Sequence, residues 1–539
     1  MEENYNTESI LLKKMSKNNG KLYLLCLFVG IGTGFIVSLY RWCLEIISHL
    51  KEKLFILAGY DLHLGKPLSL FKLWLIFIMV GFVVDYLYRK YPKTSGSGIP
   101  QVKGLILGRI DYKNWFQELI SKFLAGVLGI GAGLSLGREG PSVQLGSYLG
   151  YGLAKIFKRD IKDRNYLITS GASAGLAGAF GAPMAGVMFS IEEIHRYLSG
   201  KLLICIFLSS IAADFVGRRF FGVQTAFNIA IKYPLDLNPY FQFIMYVVFG
   251  LIIAFFGKLF TYMLIKTQDV FNKVNVHRSI KIVTVMTISF SLCVVFPKVT
   301  GGGHHLAESL VHKKELITVL IVIFILKLLF TSISYATGFA GGIFLPMLVL
   351  GAIIGKIFGE TVDIIWLTGN DFTVHFVVLG MAAYFVSVVR APITGAILIL
   401  EMTGSFHLLL AIATVSIVAF YTTELLGQHP IYDILYDRMK KDDTNKTDEK
   451  NKRKTIVKIP VMAESELDGK FIADLSFPEG TLVVSIIRNE VEFIPNGRSI
   501  IKGGDILVIL LSEEKIPETK EEILKRATTE SKGMVHNGK

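Results

Sequence analysis

Three short segments of the chain combine glycine with proline in otherwise apolar surroundings. They are GSGIP at residues 96–100, GREGP at residues 137–141 and GGIFLP at residues 341–346. Glycine readily interrupts a helix, whereas proline is tolerated in the first turn of one. Each segment therefore predicts the N-terminus of a new helix that begins partway through an apolar region.

Helix N-termini of this kind have a definite chemistry. Each leaves up to four backbone N–H groups free and carries roughly half a positive charge. Interrupted backbone is tolerated in lipid only where it is buried in protein or lines a cavity. Three such N-termini meeting at one cavity would bind an anion through backbone groups, without a lysine that would hold it too tightly. The alternative for these glycines is close packing between helices.

An internal repeat places the interruptions at matching positions in two halves of the chain. The pattern GxG at residues 96–98 recurs 205 residues later, as does the proline of GREGP. The pattern APxxG-x5-E at residues 182–192 recurs 209 residues later, which pairs Glu192 with Glu401. Matching interruptions in two apolar halves are typical of transporters whose site lies where the interruptions meet.

The elements that must position these segments are long apolar helices. Of the 539 residues, 52% are hydrophobic and 19% are charged, compared with about 25% charged residues in a typical soluble protein. Runs without Asp, Glu, Lys or Arg occupy residues 237–257, 328–355, 372–389 and 402–423. Each run is long enough to cross a hydrocarbon core of about 30 Å. The sequence predicts an all-α, polytopic membrane protein.

Positive charge predicts how the chain is oriented in the cell membrane. The first 21 residues form a polar arm with four lysines, and a second cluster of Lys and Arg lies at residues 438–454. Lys and Arg near membrane ends favour the cytoplasm, so both termini are expected there, with an even number of crossings. The net charge of +13 then reflects topology and anionic lipid, and nucleic-acid binding is not expected.

Composition divides the chain into five parts. We predict a cytoplasmic arm over residues 1–21, a membrane domain over 22–436, a charged linker over 437–454, a small α+β domain over 455–527 and a flexible tail over 528–539. The α+β domain contains three short β-type runs, TIVKIPV, TLVVSIIR and DILVILL, separated by turn signals. A short polar helix is predicted over residues 517–527.

In this order and spacing, GSGIP, GREGP and GGIFLP resemble the signature segments of the CLC family of chloride channels and transporters. The resemblance covers residues 22–436, and HPIY at residues 429–432 is similar to the family segment that carries a pore tyrosine. It implies a homodimer with one pore per subunit, each pore built from two inverted halves with broken helices. It also implies chloride transport, either in exchange for protons or through a gated channel, without enzymatic activity, metal or cofactor.

The resemblance assigns backbone amides and two hydroxyls to chloride. A central chloride would be bound by the hydroxyls of Ser97 and Tyr432 and the amides of Ile343 and Phe344. The amides assigned to an outer site are those of Arg138, Glu139, Gly140 and Leu345, and those assigned to an inner site are Gly96 and Ser97. Serine at position 97, where nitrate exchangers of the family have proline, favours chloride. The unaltered GREGP proline and pore tyrosine disfavour the fluoride-exporting branch.

Glu139 is expected to be the gate of this pore. A carboxylate at the start of a broken helix is itself an anion, so it can occupy the N–H groups that chloride would use. When protonated it loses that attraction and can swing away. In the family the matching residue is the gate and the outer proton site, while a simple capping carboxylate is the alternative interpretation.

Glu193 bears on the choice between exchanger and channel. Because Glu192 has its repeat counterpart in Glu401, Glu193 is an additional carboxylate, about 100° further round the same helix. The family's exchangers place an inner proton-accepting glutamate at this position, and its channels usually do not. The resemblance therefore favours exchange, with a helix-end carboxylate paired to Arg196 as the alternative.

Several other features are expected to have no part in transport. Lys103 stands where many exchangers have glutamate, and Gly181 where asparagine is frequent, and neither is expected to touch the ion path. GASAG at residues 171–175 matches the G-x-S-x-G elbow of serine hydrolases, but no strand precedes it. Helix packing is the expected role, and an intramembrane serine hydrolase is a weak alternative. His304 and His305 lack the spacing of metal ligands.

The C-terminal domain resembles the TrkA-C (RCK-C) module of potassium-transport regulators. The motifs that carry this resemblance are ELDGK at residues 466–470, IRN at 487–489 and GGD at 503–505. It implies a prokaryotic protein with a dimerising, ligand-sensing cytoplasmic domain. A cyclic dinucleotide is a reasonable first ligand to test, because some relatives of this module bind one.

Overall fold

The computed structural model covers most of the chain. The described residues are 2–63, 68–223, 225–227, 237–312, 315–368, 370–443, 454–478, 480–488, 491–512 and 516–529. Contacts divide the chain into two units, one formed by residues 1–103 and 112–437 and the other by residues 104–111 and 438–539. Most of the predicted linker and of the predicted C-terminal tail lies outside the described residues.

Helices make up the first unit, as predicted. Its first half contains α1 (Glu2–His63), α2 (Leu68–Lys90), α3 (Ile99–Ile106), α4 (Trp115–Gly131), α5 (Glu139–Ile156), α6 (Ile161–Phe180), α7 (Pro183–Phe189) and α8 (Gly200–Phe221). Its second half contains α9 (Pro239–Lys273), α10 (Arg278–Val295), α11 (His304–His312), α12 (Ile317–Ala336), α13 (Phe344–Trp366), α14 (Asn370–Val389), α15 (Pro392–Thr403), α16 (Leu409–Leu425) and α17 (Ile431–Asp443). Because α17 continues to Asp443, the first residues of the predicted linker are helical.

Eight helices in the described part of the chain are long and apolar enough to cross a membrane. In α14 the apolar window Phe372–Val389 is completely buried by protein, whereas only 28% of the corresponding window in α2 is buried. Helix α14 is therefore enclosed by protein, whereas most of the α2 window is not covered by described residues of this chain. The uncharged run at residues 328–355 is not one helix, because the glycine-containing residues 337–343 separate α12 from α13.

Glycine-mediated helix contacts recur in the two halves of the first unit. A Cβ built on Gly146 of α5 would lie 1.9 Å from the carbonyl oxygen of Gly171 in α6. At matching positions of the second half, a Cβ on Gly351 of α13 would lie 2.2 Å from the carbonyl oxygen of Gly380 in α14. Only glycine permits such close approach of two backbones. The GASAG segment at residues 171–175 therefore lies in a helix–helix contact, as predicted.

An antiparallel sheet and one helix form most of the second unit. They are β1 (Lys454–Pro460), β2 (Leu482–Arg488), β3 (Val491–Phe493), β4 (Ile506–Ser512) and α18 (Ile516–Thr528), with strand order β1-β4-β2-β3. The three longer strands and the helix confirm the sequence prediction. The strand β3 was not predicted, because three residues are too short to show an alternating pattern. Buried Ile459, Leu507 and Ile523 join the sheet to α18.

Candidate anion and proton site

All three glycine–proline segments begin helices, as predicted. Helix α3 begins at Ile99, α5 at Glu139 and α13 at Phe344. Gly96 and Gly98 have φ angles of 62° and 96°, in the left-handed region that glycine adopts without strain. The first-turn N–H groups of these helices have no intrahelical acceptor and face the start of the helix.

Backbone hydrogen bonds hold the three segments together. The N–H of Gly96 donates to the carbonyl of Gly338 at 2.9 Å, and the N–H of Gly341 donates to the carbonyl of Gly96 at 3.1 Å. Gly137 and Gly342 donate to each other's carbonyls, both at 2.7 Å. The third segment is thus bonded to the first and to the second, so the three helix N-termini meet at one place.

A buried lysine fixes the turn before α3. The Lys122 ammonium donates to two carbonyl oxygens of this turn, including that of Gly96 at 2.7 Å. In the second half Lys327 makes the same pair of bonds to the repeat-related turn, including the carbonyl of Gly301 at 2.7 Å. Both lysines interrupt apolar stretches and lie 205 residues apart. The spacing of 205 residues matches the internal repeat, so the sequence contains a signal that these two lysines have equivalent roles.

The hydroxyls of Ser97 and Tyr432 are buried near these helix starts. Ser97 is 1% exposed and Tyr432 is fully buried, and neither hydroxyl has a hydrogen-bond partner among the described residues. A Cβ built on Gly140 would lie 2.5 Å from the Ser97 hydroxyl, so the first turn of α5 abuts Ser97. A buried hydroxyl without a partner costs about 1–3 kcal/mol, which a bound anion would offset.

Aromatic rings connect Tyr432 with the start of α13. The ring of Phe344 lies 6.3 Å from that of Phe189, which lies 6.4 Å edge-on to the ring of Tyr432. Tyr335 was missed by the sequence analysis. Its buried hydroxyl contacts the backbone of Ser97, but nothing distinguishes it from other tyrosines in apolar helices.

Glu139 is fully buried at the first turn of α5, and neither of its carboxylate oxygens has a hydrogen-bond partner among the described residues. A Cβ built on Gly137 would collide with this carboxylate, so the side chain folds back over the preceding glycine. A cavity of about 800 Å³ reaches the neighbouring residues Gly137, Arg138 and Leu345. The carboxylate is therefore placed between a wide cavity and the meeting point of the helices.

Glu192 and Glu401 bind the two halves of the unit to each other. The carboxylate of Glu192 accepts from the N–H of Ile393 at 3.2 Å and of Thr394 at 2.7 Å, in the first turn of α15. Reciprocally, Glu401 accepts from the N–H groups of Met184 and Ala185 in α7, at 3.0 and 2.8 Å. Each carboxylate caps a helix of the other half, so both have a structural role.

Glu193 has different partners, although it is adjacent in sequence. Its buried carboxylate lies 3.5 Å from Arg196, the pair given by the alternative interpretation of the sequence, and 3.9 Å from Lys103. Asp433 contacts both of these cations. The expectation that Lys103 stays clear of the ion path is therefore wrong for the candidate proton site, because α3 brings Lys103 to Glu193.

The remaining sequence motifs have ordinary structural roles. The Ser173 hydroxyl forms a hydrogen bond of 2.6 Å with the hydroxyl of Ser210, which is not the base that a serine hydrolase requires. His304 stacks on Phe227 with 4.7 Å between ring centroids. No group of three metal-ligating side chains occurs within the described residues. Gly181 ends α6 with a φ of 65°, in the left-handed region. Asparagine also tolerates this conformation, so the backbone here is compatible with either glycine or asparagine.

Family models match both units of the chain. The model described as voltage gated chloride channel matches residues 80–424, and that of the TrkA-C domain matches residues 456–524. The H(+)/Cl(-) exchange transporter ClcA of Vibrio vulnificus is 34% identical over 434 residues, which are 78% of this chain and 90% of that protein. The protein of the same name from Klebsiella pneumoniae is 33% identical over 384 residues, 70% of this chain and 80% of its own.

Solved structures share the fold. A slow cyanobacterial Cl-/H+ antiporter superposes with a TM-score of 0.74 at 27% identity, covering 79% of this chain and 99% of its own. A eukaryotic CLC transporter has a TM-score of 0.64 at 21% identity, covering 78% of this chain and 74% of its own, and shows the same fold. With its broken helices and their repeat-related supports, this chain belongs to the voltage-gated chloride channel (CLC) family and carries a TrkA-C domain.

Proposed function

We propose that this protein is a secondary transporter that exchanges chloride for protons across the membrane. The observation that carries the proposal is the contrast between four buried or half-buried glutamates. Glu192 and Glu401 cap helices, whereas the Glu139 carboxylate at the helix starts has no hydrogen-bond partner among the described residues, and Glu193 lies among charged side chains. Two carboxylates are thus available to move protons. The relatives named H(+)/Cl(-) exchange transporters support the same function.

Chloride would bind at the meeting point of α3, α5 and α13. The hydroxyls of Ser97 and Tyr432 and the amides of Ile343 and Phe344 would hold a central ion, because these groups are buried and neither hydroxyl has a hydrogen-bond partner in the described part of the chain. The outer ion would use amides of Arg138, Glu139, Gly140 and Leu345, and the inner ion those of Gly96 and Ser97. Neutral donors and helix N-termini stabilise an anion without trapping it.

Coupling would arise from competition at the start of α5. When ionised, the Glu139 carboxylate would occupy the amides of the outer site and exclude chloride. When it gains a proton it would lose that attraction, leave the amides and admit chloride. Glu193 would pass protons between the cytoplasm and Glu139. Each proton taken up would then be linked to an exchange of anions.

The exchange can be measured with purified protein in sealed vesicles. A chloride gradient should drive protons uphill, against an imposed pH difference, because the two movements are linked. Vesicles without protein provide the baseline. Chloride flux without any proton movement would establish the alternative, a passive chloride channel of the same family.

We further propose a homodimer in the cell membrane with both termini in the cytoplasm. The lysine-rich N-terminal arm and the basic stretch at residues 438–454 support this orientation, because Lys and Arg are retained on the cytoplasmic side. The TrkA-C domain would then meet cytoplasmic ligands.

Selectivity should depend on Ser97. Ser97→Pro removes both a hydroxyl and an amide donor, so we expect chloride to lose about 1.5–3 kcal/mol of binding relative to nitrate. The ratio of chloride to nitrate transport should fall about tenfold or more. Ser97→Ala, which removes only the hydroxyl, should give a smaller change in the same direction. An unaltered ratio in both variants would remove Ser97 from the selectivity site.

The second unit would regulate transport. Within this unit Arg109 forms an ion pair with Glu521, and the Lys520 ammonium donates to the carbonyl of Ile106 at 3.0 Å. Residues 104–106 are also the last residues of α3, the helix that begins at the anion site. A ligand that moves α18 would therefore act on residues 104–111 of the same unit. A cyclic dinucleotide is our first candidate.

A chain that ends at Asp437 should still transport chloride, because the candidate ion-binding residues all precede that position. It should lose any response of the rate to a cyclic dinucleotide, measured as chloride efflux from vesicles. In the full chain, Glu521→Gln should weaken that response without abolishing basal transport. A truncated chain that folds as a dimer but does not transport would contradict the regulatory role.

A further inference from the structure

The inner carboxylate, that of Glu193, belongs to a ring of four charged side chains, the other three being Lys103, Arg196 and Asp433. Glu193 lies 3.9 Å from the ammonium of Lys103 and 3.5 Å from the guanidinium of Arg196. Both cations also contact Asp433, which is 2.8 Å from Arg196 and forms a short hydrogen bond with Lys103. Two carboxylates therefore compete for the same two cations.

The two carboxylates do not share the cations equally. Each cation lies closer to Asp433 than to Glu193. Coulombic attraction falls with distance and is stronger away from water. The side chain of Asp433 is 24% exposed and that of Glu193 is 3% exposed. The half-buried aspartate thus holds both cations and leaves the buried glutamate only partly compensated.

Other elements next to Glu193 add little charge. Helix α7, which immediately precedes the turn that carries Glu193, contains no charged residue. Helix α6 contributes Thr169, which is hydrogen-bonded to the ring of His195 at 3.1 Å. The phenol of Tyr432 is a further titratable group near Glu193, and it is uncharged while it keeps its proton. Lys103, Arg196 and Asp433 are therefore the charges that set its environment.

We propose that Asp433 is a positioning residue for proton exchange, because it holds Lys103 and Arg196 back from Glu193 and so keeps Glu193 able to accept a proton. A carboxylate in direct contact with two cations would stay ionised except at low pH. Asp433 follows Tyr432 at the start of α17, so one helix start carries both an anion-site hydroxyl and this charge. The inference rests on the proposed exchange of chloride for protons.

Two single variants should act in opposite directions. Asp433→Asn keeps the shape of the side chain but removes its charge, so Lys103 and Arg196 should close on Glu193. The midpoint of the pH profile of proton flux should then move about one unit or more to lower pH. Lys103→Met removes one of the two cations, and its midpoint should move to higher pH. The midpoint of the double variant should lie between those of the two single variants.

A matched control is available at the start of α6. Asp163 is buried between two cations, Arg159 and Lys201, each at 3.5 Å. Asp163→Asn removes a comparable charge without altering the ring around Glu193. The midpoint of the pH profile of proton flux in this variant should therefore equal that of the wild type. Full-length protein in vesicles is used throughout, and gel filtration checks that each variant is folded.

The outcomes separate this inference from the proposed function. A lower flux with an unchanged midpoint in Asp433→Asn would make Asp433 a purely structural residue and overturn the inference. Shifts in the same direction for Asp433→Asn and Lys103→Met would also overturn it. If Asp433→Asn does not fold, the Lys103→Met variant is the test, and a shift of its pH midpoint to lower pH would overturn the inference. Wild-type protein without proton flux would refute the proposed exchange, and the inference with it.

Discussion

Glu139→Gln should abolish proton movement and leave part of the chloride flux. The amide has the size of the carboxylate, but it neither titrates nor carries the charge that competes with chloride for the N–H groups of α5. Proton flux should fall to the level of empty vesicles. Chloride would then move without a counter-transported proton, because the side chain no longer alternates between two charge states.

Glu193→Gln should also stop protons, but by a different route. Glu193 lies in the charged ring with Lys103, Arg196 and Asp433 and is not one of the candidate anion ligands, so chloride binding measured by calorimetry should remain close to that of the wild type. Glu139→Gln, by contrast, should tighten chloride binding, because a competing anion has been removed.

Glu192→Gln is the control for both variants. Its carboxylate caps the first turn of α15 through two N–H groups, and an amide can accept at only one of its two positions. We expect a loss of about 1–2 kcal/mol of stability, with coupling retained at least in part. Persisting proton transport in Glu193→Gln would exclude Glu193 from the proton path without affecting the assignment of Glu139.

Gly171→Val should prevent folding of the membrane domain. A Cβ at this position would lie 2.0 Å from the carbonyl oxygen of Gly146, and a backbone atom cannot move aside as a flexible side chain can. Overpacking costs about 3 kcal/mol or more where neighbours are rigid. Little protein should therefore be recovered in detergent as a single peak by gel filtration.

The repeat predicts the same result for Gly380→Val, whose Cβ would lie 2.2 Å from the carbonyl oxygen of Gly351. Gly59→Val is the matched control, because Gly59 lies within α1 and a Cβ there would meet nothing within 4 Å. Yields of Gly59→Val should equal those of the wild type. Normal folding of Gly171→Val would show that α5 and α6 can separate.

The three helix starts of the candidate anion site were predictable because their determinants are local. Glycine and proline at residues 96–100, 137–141 and 341–346 impose helix starts whatever surrounds them, and the repeat shows which positions correspond. The same repeat identified Glu192 and Glu401 as a pair, although not that each caps the other half. Capping across halves depends on tertiary distances that spacing along one helix does not contain.

Contacts between distant segments were not predictable. Lys103 lies 90 residues before Glu193 and approaches it directly, whereas Asp433 lies 240 residues after it and contacts Lys103 and Arg196. Nothing in the sequence indicates which charges converge. Tyr335 was missed for the same reason. The grouping of residues 104–111 with the C-terminal domain was also not expected, because this short stretch has no compositional boundary.

The reciprocal glutamate caps have a consequence for the synthesis of the chain. Helix α7 needs the carboxylate of Glu401, which is made 217 residues after Met184. At about 5–20 residues per second, the ribosome needs about 10–40 s to supply it. During that interval the first half enters the membrane with an unfinished helix end that only its later counterpart can complete. A chain that stops before Glu401 would leave the N–H groups of Met184 and Ala185 without this acceptor.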